Sequence, residues 1–152
     1  MKRIETEIQI AASPETVWKI LTDLEQYPEW NPFIRNAQGQ LKEGQKLAVR
    51  IAPPGSKEMT FKPTVTTVIE YAEFSWLGYF IFPGIFDGRH IFGITENEGG
   101  CLLVQKEEFS GLLVPLLWNS MEKNTREGFV LMNEALKQRA ERADTAQTQP
   151  LG

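Results

Sequence analysis

The chain has 152 residues, with 16 basic and 20 acidic side chains and a net charge of -4. That balance gives no global pull toward nucleic acid or an anionic membrane, and no dense Lys/Arg cluster supplies a local one. One cysteine, Cys101, excludes an internal disulfide, and with His90 as the sole histidine it is too isolated for a zinc site.

A chain of this length suits one domain, which buries roughly 70% of the surface its unfolded form exposes, so no disulfide or metal is required for folding. The opening Met1-Lys2-Arg3 runs into Ile4-Glu5-Thr6-Glu7 without the apolar stretch of a secretory signal. A reducing, cytoplasmic compartment is therefore expected. Residues 3–11 alternate, with Ile4, Thr6, Ile8 and Ile10 opposed to Glu5, Glu7 and Gln9, the pattern of a strand with one wet face. Ser13-Pro14-Glu15 is a helix start: a serine cap, proline at the first position and an acid in the first turn. Val17, Trp18, Leu21 and Leu24 follow at helical spacing. The stretch Tyr27-Pro28-Glu29-Trp30-Asn31-Pro32 is expected to leave that helix, because each proline disfavours helix in the residue before it.

From Phe33 to Phe109 the pattern is strand-like, punctuated by Gly39, Gly44, Pro53-Pro54-Gly55, Pro83-Gly84 and Glu98-Gly99-Gly100. Six strands are expected, over 33–41, 46–52, 59–71, 73–80, 85–97 and 101–109, joined as an antiparallel meander. Residues 74–86 carry no charge, but the run is too short to span a membrane and is broken by Gly78, Pro83 and Gly84. A last helix is expected over 115–142, roughly 40 Å long at 1.5 Å per residue. Its inner stripe is Leu117, Met121, Thr125, Gly128, Met132 and Ala135, with Trp118, Phe129 and Leu136 beside it. Residues 143–152 read as a polar tail after a single domain over 1–142. The whole is α+β: a curved seven-stranded antiparallel sheet wrapped around a long C-terminal helix, with two short helices after strand one.

Several segments in this order look familiar. They are Ile10-Ala11-Ala12-Ser13-Pro14-Glu15-Thr16-Val17-Trp18, Leu24-Glu25-Gln26-Tyr27-Pro28-Glu29-Trp30-Asn31-Pro32, Gly88-Arg89-His90-Ile91-Phe92, Glu107-Glu108-Phe109-Ser110-Gly111-Leu112-Leu113, Asn124-Thr125-Arg126-Glu127-Gly128-Phe129 and Met132-Asn133-Glu134-Ala135-Leu136-Lys137. Over nearly its whole length the chain resembles the SRPBCC superfamily. This helix-grip group includes START lipid-transfer domains, plant pathogenesis-related allergens and polyketide cyclase/dehydrase-like proteins. The resemblance implies a pocket between the sheet's concave face and the C-terminal helix. It is specific for fold and not for function, because the superfamily mixes carriers, sensors and enzymes.

Within strand 85–97, period two sets Phe86, Gly88, His90, Phe92 and Ile94 on the more apolar face, which is assigned to the concave side. On the next strand Leu103, Gln105, Glu107 and Phe109 share a face. A tight turn centred near residues 98–99 makes His90 and Glu107 cross-strand neighbours pointing the same way. A histidine with a carboxylate partner suits proton transfer near neutral pH. It equally suits a hydrogen-bonded strand pair that is structural or orients a ligand, which is the favoured role.

The aromatic set Trp30, Phe33, Phe61, Trp76, Phe86, Phe92, Phe109, Trp118 and Phe129 is read as core shared with pocket wall, with Tyr79, Gln105, Met121 and Thr125 adding contacts. About half of the side chains in 76–86 must face outward, at the pocket mouth, a partner chain or a covering loop. Residues 112–118 are either a lid or a buried helix start. Gly128 either admits the sheet closely or leaves volume for a ligand. No phosphate-binding loop, dinucleotide fingerprint, nucleophile elbow or metal motif is present, so neither cofactor nor metal is expected. The expected function is binding of a small hydrophobic or amphipathic molecule, as carrier, sensor or scavenger. A cyclase/dehydratase-type enzyme using His90 and Glu107 and a protein-interaction module through 76–86 are the alternatives, with a homodimer as an option.

Overall fold

The computed structural model describes residues 1–148. In chain order these form β1 (Lys2–Ile10), α1 (Pro14–Thr22), a single tight turn (Leu24–Gln26), α2 (Tyr27–Trp30), β2 (Ile34–Gln38), β3 (Ala48–Ile51), β4 (Met59–Phe61), β5 (Thr64–Ile69), β6 (Glu73–Tyr79), β7 (Asp87–Asn97), β8 (Gly100–Ser110) and α3 (Val114–Thr148). The architecture is the expected α+β helix-grip, with a large antiparallel sheet and a long C-terminal helix lying against β1 and β8.

Ser13 caps α1 as its sequence requires, its hydroxyl accepting from the Thr16 N–H at 3.1 Å. The stretch from Tyr27 leaves α1, as its prolines require, and residues 27–30 supply the second short helix. They make one helical turn of their own. Pro28 sits in the first turn, where its missing N–H would have had no helical partner. Tyr27 is fully buried and its hydroxyl donates to the Leu21 carbonyl at 2.6 Å, so burial pushes the phenol well above its ordinary range.

The single seven-stranded sheet is also corrected. Eight strands divide into a five-stranded sheet, ordered β1-β8-β7-β6-β5, and a three-stranded sheet, ordered β2-β3-β4. The expected strand over 59–71 breaks at Lys62-Pro63, because proline cannot donate a ladder hydrogen bond. On one side of the break β4 pairs with β3; on the other β5 pairs with β6. The two sheets are stitched by the Lys46–Thr64 bridge and by the Leu47 N–H, which donates to the Pro63 carbonyl at 2.9 Å.

Beyond the expected end at 142, α3 continues to Thr148. The Thr16 hydroxyl donates to the Asp144 carboxylate at 2.8 Å, tying the helix end to α1. Polar composition was a poor guide because Ala143 and Ala146 are strong helix formers. Of the expected tail, residues 149–152 lie outside the described residues. At its other end α3 is neither wholly buried nor wholly free: Val114 is buried while Leu116 is 75% exposed.

The core lies between the large sheet and α3. Ile4, Phe74, Phe92 and Leu103 from the strands meet Phe129, Met132 and Leu136 from the helix, all of them with no exposed surface. Gly128 serves close approach rather than open volume, since a Cβ there would overlap the Phe33 ring.

Candidate ligand-binding cavity

β7 and β8 form a hairpin in unbroken antiparallel register, and that register sets His90 directly opposite Glu107. His90 Nδ1 lies 3.2 Å from Glu107 Oε1, with the histidine side chain 5% and the glutamate 19% exposed. The imidazole is held between aromatic rings. Phe92 stacks on it at 4.6 Å between centroids, Phe129 leans on it at 4.9 Å and Trp76 at 5.5 Å. On its far side Nε2 is 3.0 Å from Gln105 Oε1.

In front of this pair is a cavity of about 300 Å³. Its walls come from three sources. The large sheet contributes Trp76, Tyr79, Phe86, Gly88, His90, Glu107 and Phe109; the small sheet contributes Ile34, Val49, Ile51, Met59 and Phe61; α3 contributes Leu117, Ser120, Met121 and Thr125. Phe33 and Phe80 complete the rim, together with Pro53, Ser56 and Pro63. The surface is apolar apart from the His90–Glu107 pair and a few hydroxyls. Among the lining residues only Tyr79, His90 and Glu107 are ionisable.

Ten of the residues selected from sequence meet here: Phe33, Phe61, Trp76, Tyr79, Phe86, His90, Glu107, Phe109, Met121 and Thr125. Five do not. Phe92 and Phe129 are fully buried behind the histidine, and Gln105 is buried with them. Trp118 turns toward Phe109, at 5.6 Å, with the Lys2 ammonium over its ring. Trp30 is drawn away by α2 and packs edge-on to Tyr27 at 5.2 Å. It borders a second, more open groove of about 510 Å³ between α1 and the end of α3, which carries Lys19, Asp23 and Arg139 and is remote from the His90–Glu107 pair. The wall contributed by β3 was missed, and so was Met59 beside the selected Phe61 on β4. Alternation at Leu47, Val49 and Ile51 would have signalled one inward face.

The uncharged segment 76–86 behaves as strand geometry demands. Leu77, Ile81 and Phe82 are exposed, Phe82 by 65%, while Tyr79 and Phe80 are exposed at the cavity's edge. Among the described residues no group of three or more His, Cys, Asp or Glu side chains is arranged to hold a metal, and no helix is long and apolar enough to cross a membrane.

This geometry agrees with comparison to known proteins. The family model described as polyketide cyclase / dehydrase and lipid transport matches residues 1–141. The chain belongs to that family. Its fold is that of SRPBCC, START-like proteins, as the sequence resemblance implied. An aromatase/cyclase from a Streptomyces species superimposes with a TM-score of 0.79 at 15% identity, over 98% of this chain and 99% of that one. A START superfamily protein from Mycobacterium smegmatis gives 0.70 at 23% identity, over 93% and 98% respectively. At these identities the likeness is one of fold. No curated protein matches the chain in sequence.

Proposed function

We propose that the chain binds one small hydrophobic or amphipathic molecule in the cavity between its sheets and α3, as a carrier, sensor or scavenger. The observation that carries this reading is an apolar cavity with a single buried polar pair in its wall. Its volume of about 300 Å³ is at the lower end of the roughly 300–1,000 Å³ of small-molecule sites, which favours a compact ligand over a long lipid. Each Å² of apolar ligand surface removed from water contributes about 25 cal/mol, while His90 and Glu107 orient the polar end. The family and its structural neighbours support a ligand-binding fold without naming the ligand.

Titration with N-phenylnaphthylamine, a neutral fluorophore, tests the reading. Saturable binding to the wild type and its loss in Met121→Trp, which fills the cavity, are expected. A wild type that binds no probe and retains no small molecule in native mass spectrometry would count against it.

A second reading is favoured by Glu107 being reachable from the cavity while His90 is buried against it. In this reading the pair transfers a proton on a polyketide-like or aromatic substrate, as in a cyclase or dehydratase. His90→Phe should then lower turnover by roughly 10²–10⁴-fold; an unchanged rate would remove it. The interaction-module alternative expects a filled interior, and the cavity weighs against it. Homodimerisation through 76–86 is a separate proposal, and strictly monomeric sedimentation at high concentration would remove it.

A further inference from the structure

The protonation of the cavity's polar pair is set from behind, by a chain of hydrogen bonds that ends on backbone carbonyls. The Thr6 hydroxyl donates to the Gln105 carbonyl at 3.1 Å. A carbonyl only accepts, so that proton is committed and Thr6 Oγ1 is left to accept from Asn133 Nδ2, at 2.9 Å. The Asn133 amide is thereby turned with Oδ1 toward Gln105, whose Nε2 donates to it at 2.7 Å. The same Nε2 points at the Phe129 carbonyl, at 3.4 Å, which again only accepts. Both ends of the chain demand one orientation of the Gln105 amide. Its Oε1 therefore faces His90 Nε2 at 3.0 Å, and that nitrogen must carry a proton. Gln105 and Asn133 are both buried, so no bulk water competes for these bonds.

The consequence appears on the cavity side. With Nε2 protonated, a neutral imidazole presents a bare lone pair at Nδ1, 3.2 Å from Glu107 Oε1. A bare nitrogen facing a bare carboxylate oxygen is repulsive. One further proton must lie between them, on the ring or on the carboxyl, and the pair is neutral overall in either case. Trp76 from β6, Phe92 from β7 and Phe129 from α3 pack on the ring, and none of them titrates. The remaining ionisable lining residue is Tyr79, and neither Lys nor Arg lines the cavity.

We infer that His90 and Glu107 form a charge-neutral head that shares one proton, held in orientation by the positioning residues Gln105, Asn133 and Thr6, and that the cavity selects an uncharged hydroxyl- or carbonyl-bearing ligand over a carboxylate of the same shape. The ligand preference rests on the binding function proposed above; the proton arrangement does not. A neutral head both donates to and accepts from a hydroxyl or carbonyl. A carboxylate would be buried with no cation to meet it.

Because His90 is the only histidine, long-range proton–nitrogen correlation spectra of isotope-labelled, ligand-free protein read its two ring nitrogens without overlap. A protonated Nε2 is expected in the wild type at neutral pH. Gln105→Met, which removes the amide at similar volume, should release the ring to a mixture of tautomers, and the milder Thr6→Val should shift it part of the way. A neutral ring protonated at Nδ1 in the wild type overturns the proton arrangement, whether or not the variants fold. Competition against N-phenylnaphthylamine then compares naphthol with naphthoate. Naphthol is expected to bind at least about tenfold more tightly. Equal or tighter binding of naphthoate overturns the neutral head. If neither the fluorophore nor naphthol binds, the binding function fails and the ligand preference falls with it, while the spectra still decide the proton arrangement.

Discussion

The ring of Phe33 fills the space that a side chain at position 128 would need. On an open helix Gly128→Ala would gain about 1 kcal/mol. Here the new methyl meets the edge of a buried ring that is already packed on Phe129 at 5.5 Å. The expected outcome is a net loss of about 1–3 kcal/mol in urea unfolding. An unchanged midpoint would show that Phe33 yields freely.

Asn31 places that ring. Its side-chain oxygen accepts from the Phe33 N–H at 3.0 Å and the Ile34 N–H at 2.8 Å, at the point where α2 gives way to β2. Asn31→Ala strands two buried donors, with an expected cost of about 2–6 kcal/mol at the ~1–3 kcal/mol typical of each unsatisfied group. Because Phe33 borders the cavity, affinity for a neutral probe should fall alongside stability. Loss of stability with unaltered affinity would separate Asn31 from the site.

Gly88 offers a change confined to the cavity wall. A Cβ there would overlap the Glu107 carboxylate, which is the mobile end of a partly exposed side chain. Gly88→Ala is therefore expected to shift unfolding by less than about 1 kcal/mol, since the carboxylate can swing aside. The His90–Glu107 contact should nonetheless be lost, visibly in the histidine's ring-nitrogen signals. Signals identical to the wild type would contradict the crowding.

Cys101 carries a pH dependence unrelated to the site. Burial pushes its thiol up to about 11, with Asp144, Glu15 and Glu96 adding to the shift. An unfolded chain ionises its thiol near pH 8.5, as an order-of-magnitude reference. The stability tied to this group is intact below that value and falls as pH rises toward about 11, because over that window only the unfolded chain gains by losing the proton. Cys101→Ala should flatten the alkaline slope of stability. An equal slope in both proteins would reject the assignment.

Local rules carried much of this structure into view. The Ser13 cap, the alternation of β1 and the inward stripe of α3 are short-range patterns, and each is present. The His90–Glu107 pairing was legible because a hairpin with a tight turn fixes its register by counting. What stayed hidden depends on contacts between distant segments. Pro63 was visible as a residue, but not that its two flanks join different sheets. Gln105 shares the inward parity of Glu107, yet only the arrival of Asn133 from α3 turns it into a fixed acceptor behind the histidine. Trp30 was selected for the cavity, but the way α2 seats its indole against Tyr27 is a packing outcome that spacing alone does not show.

The break at Pro63 has a mechanical side. One wall of the cavity belongs to β2, β3 and β4, and that wall joins the five-stranded sheet along the short seam around Lys46, Leu47, Pro63 and Thr64. A flap hung on so short a hinge yields at lower free energy than strands woven into the middle of a sheet. Backbone amides of β3 are therefore expected to exchange with solvent before those of β7 and β8, so the cavity would have one wall that opens well before the rest of the fold does.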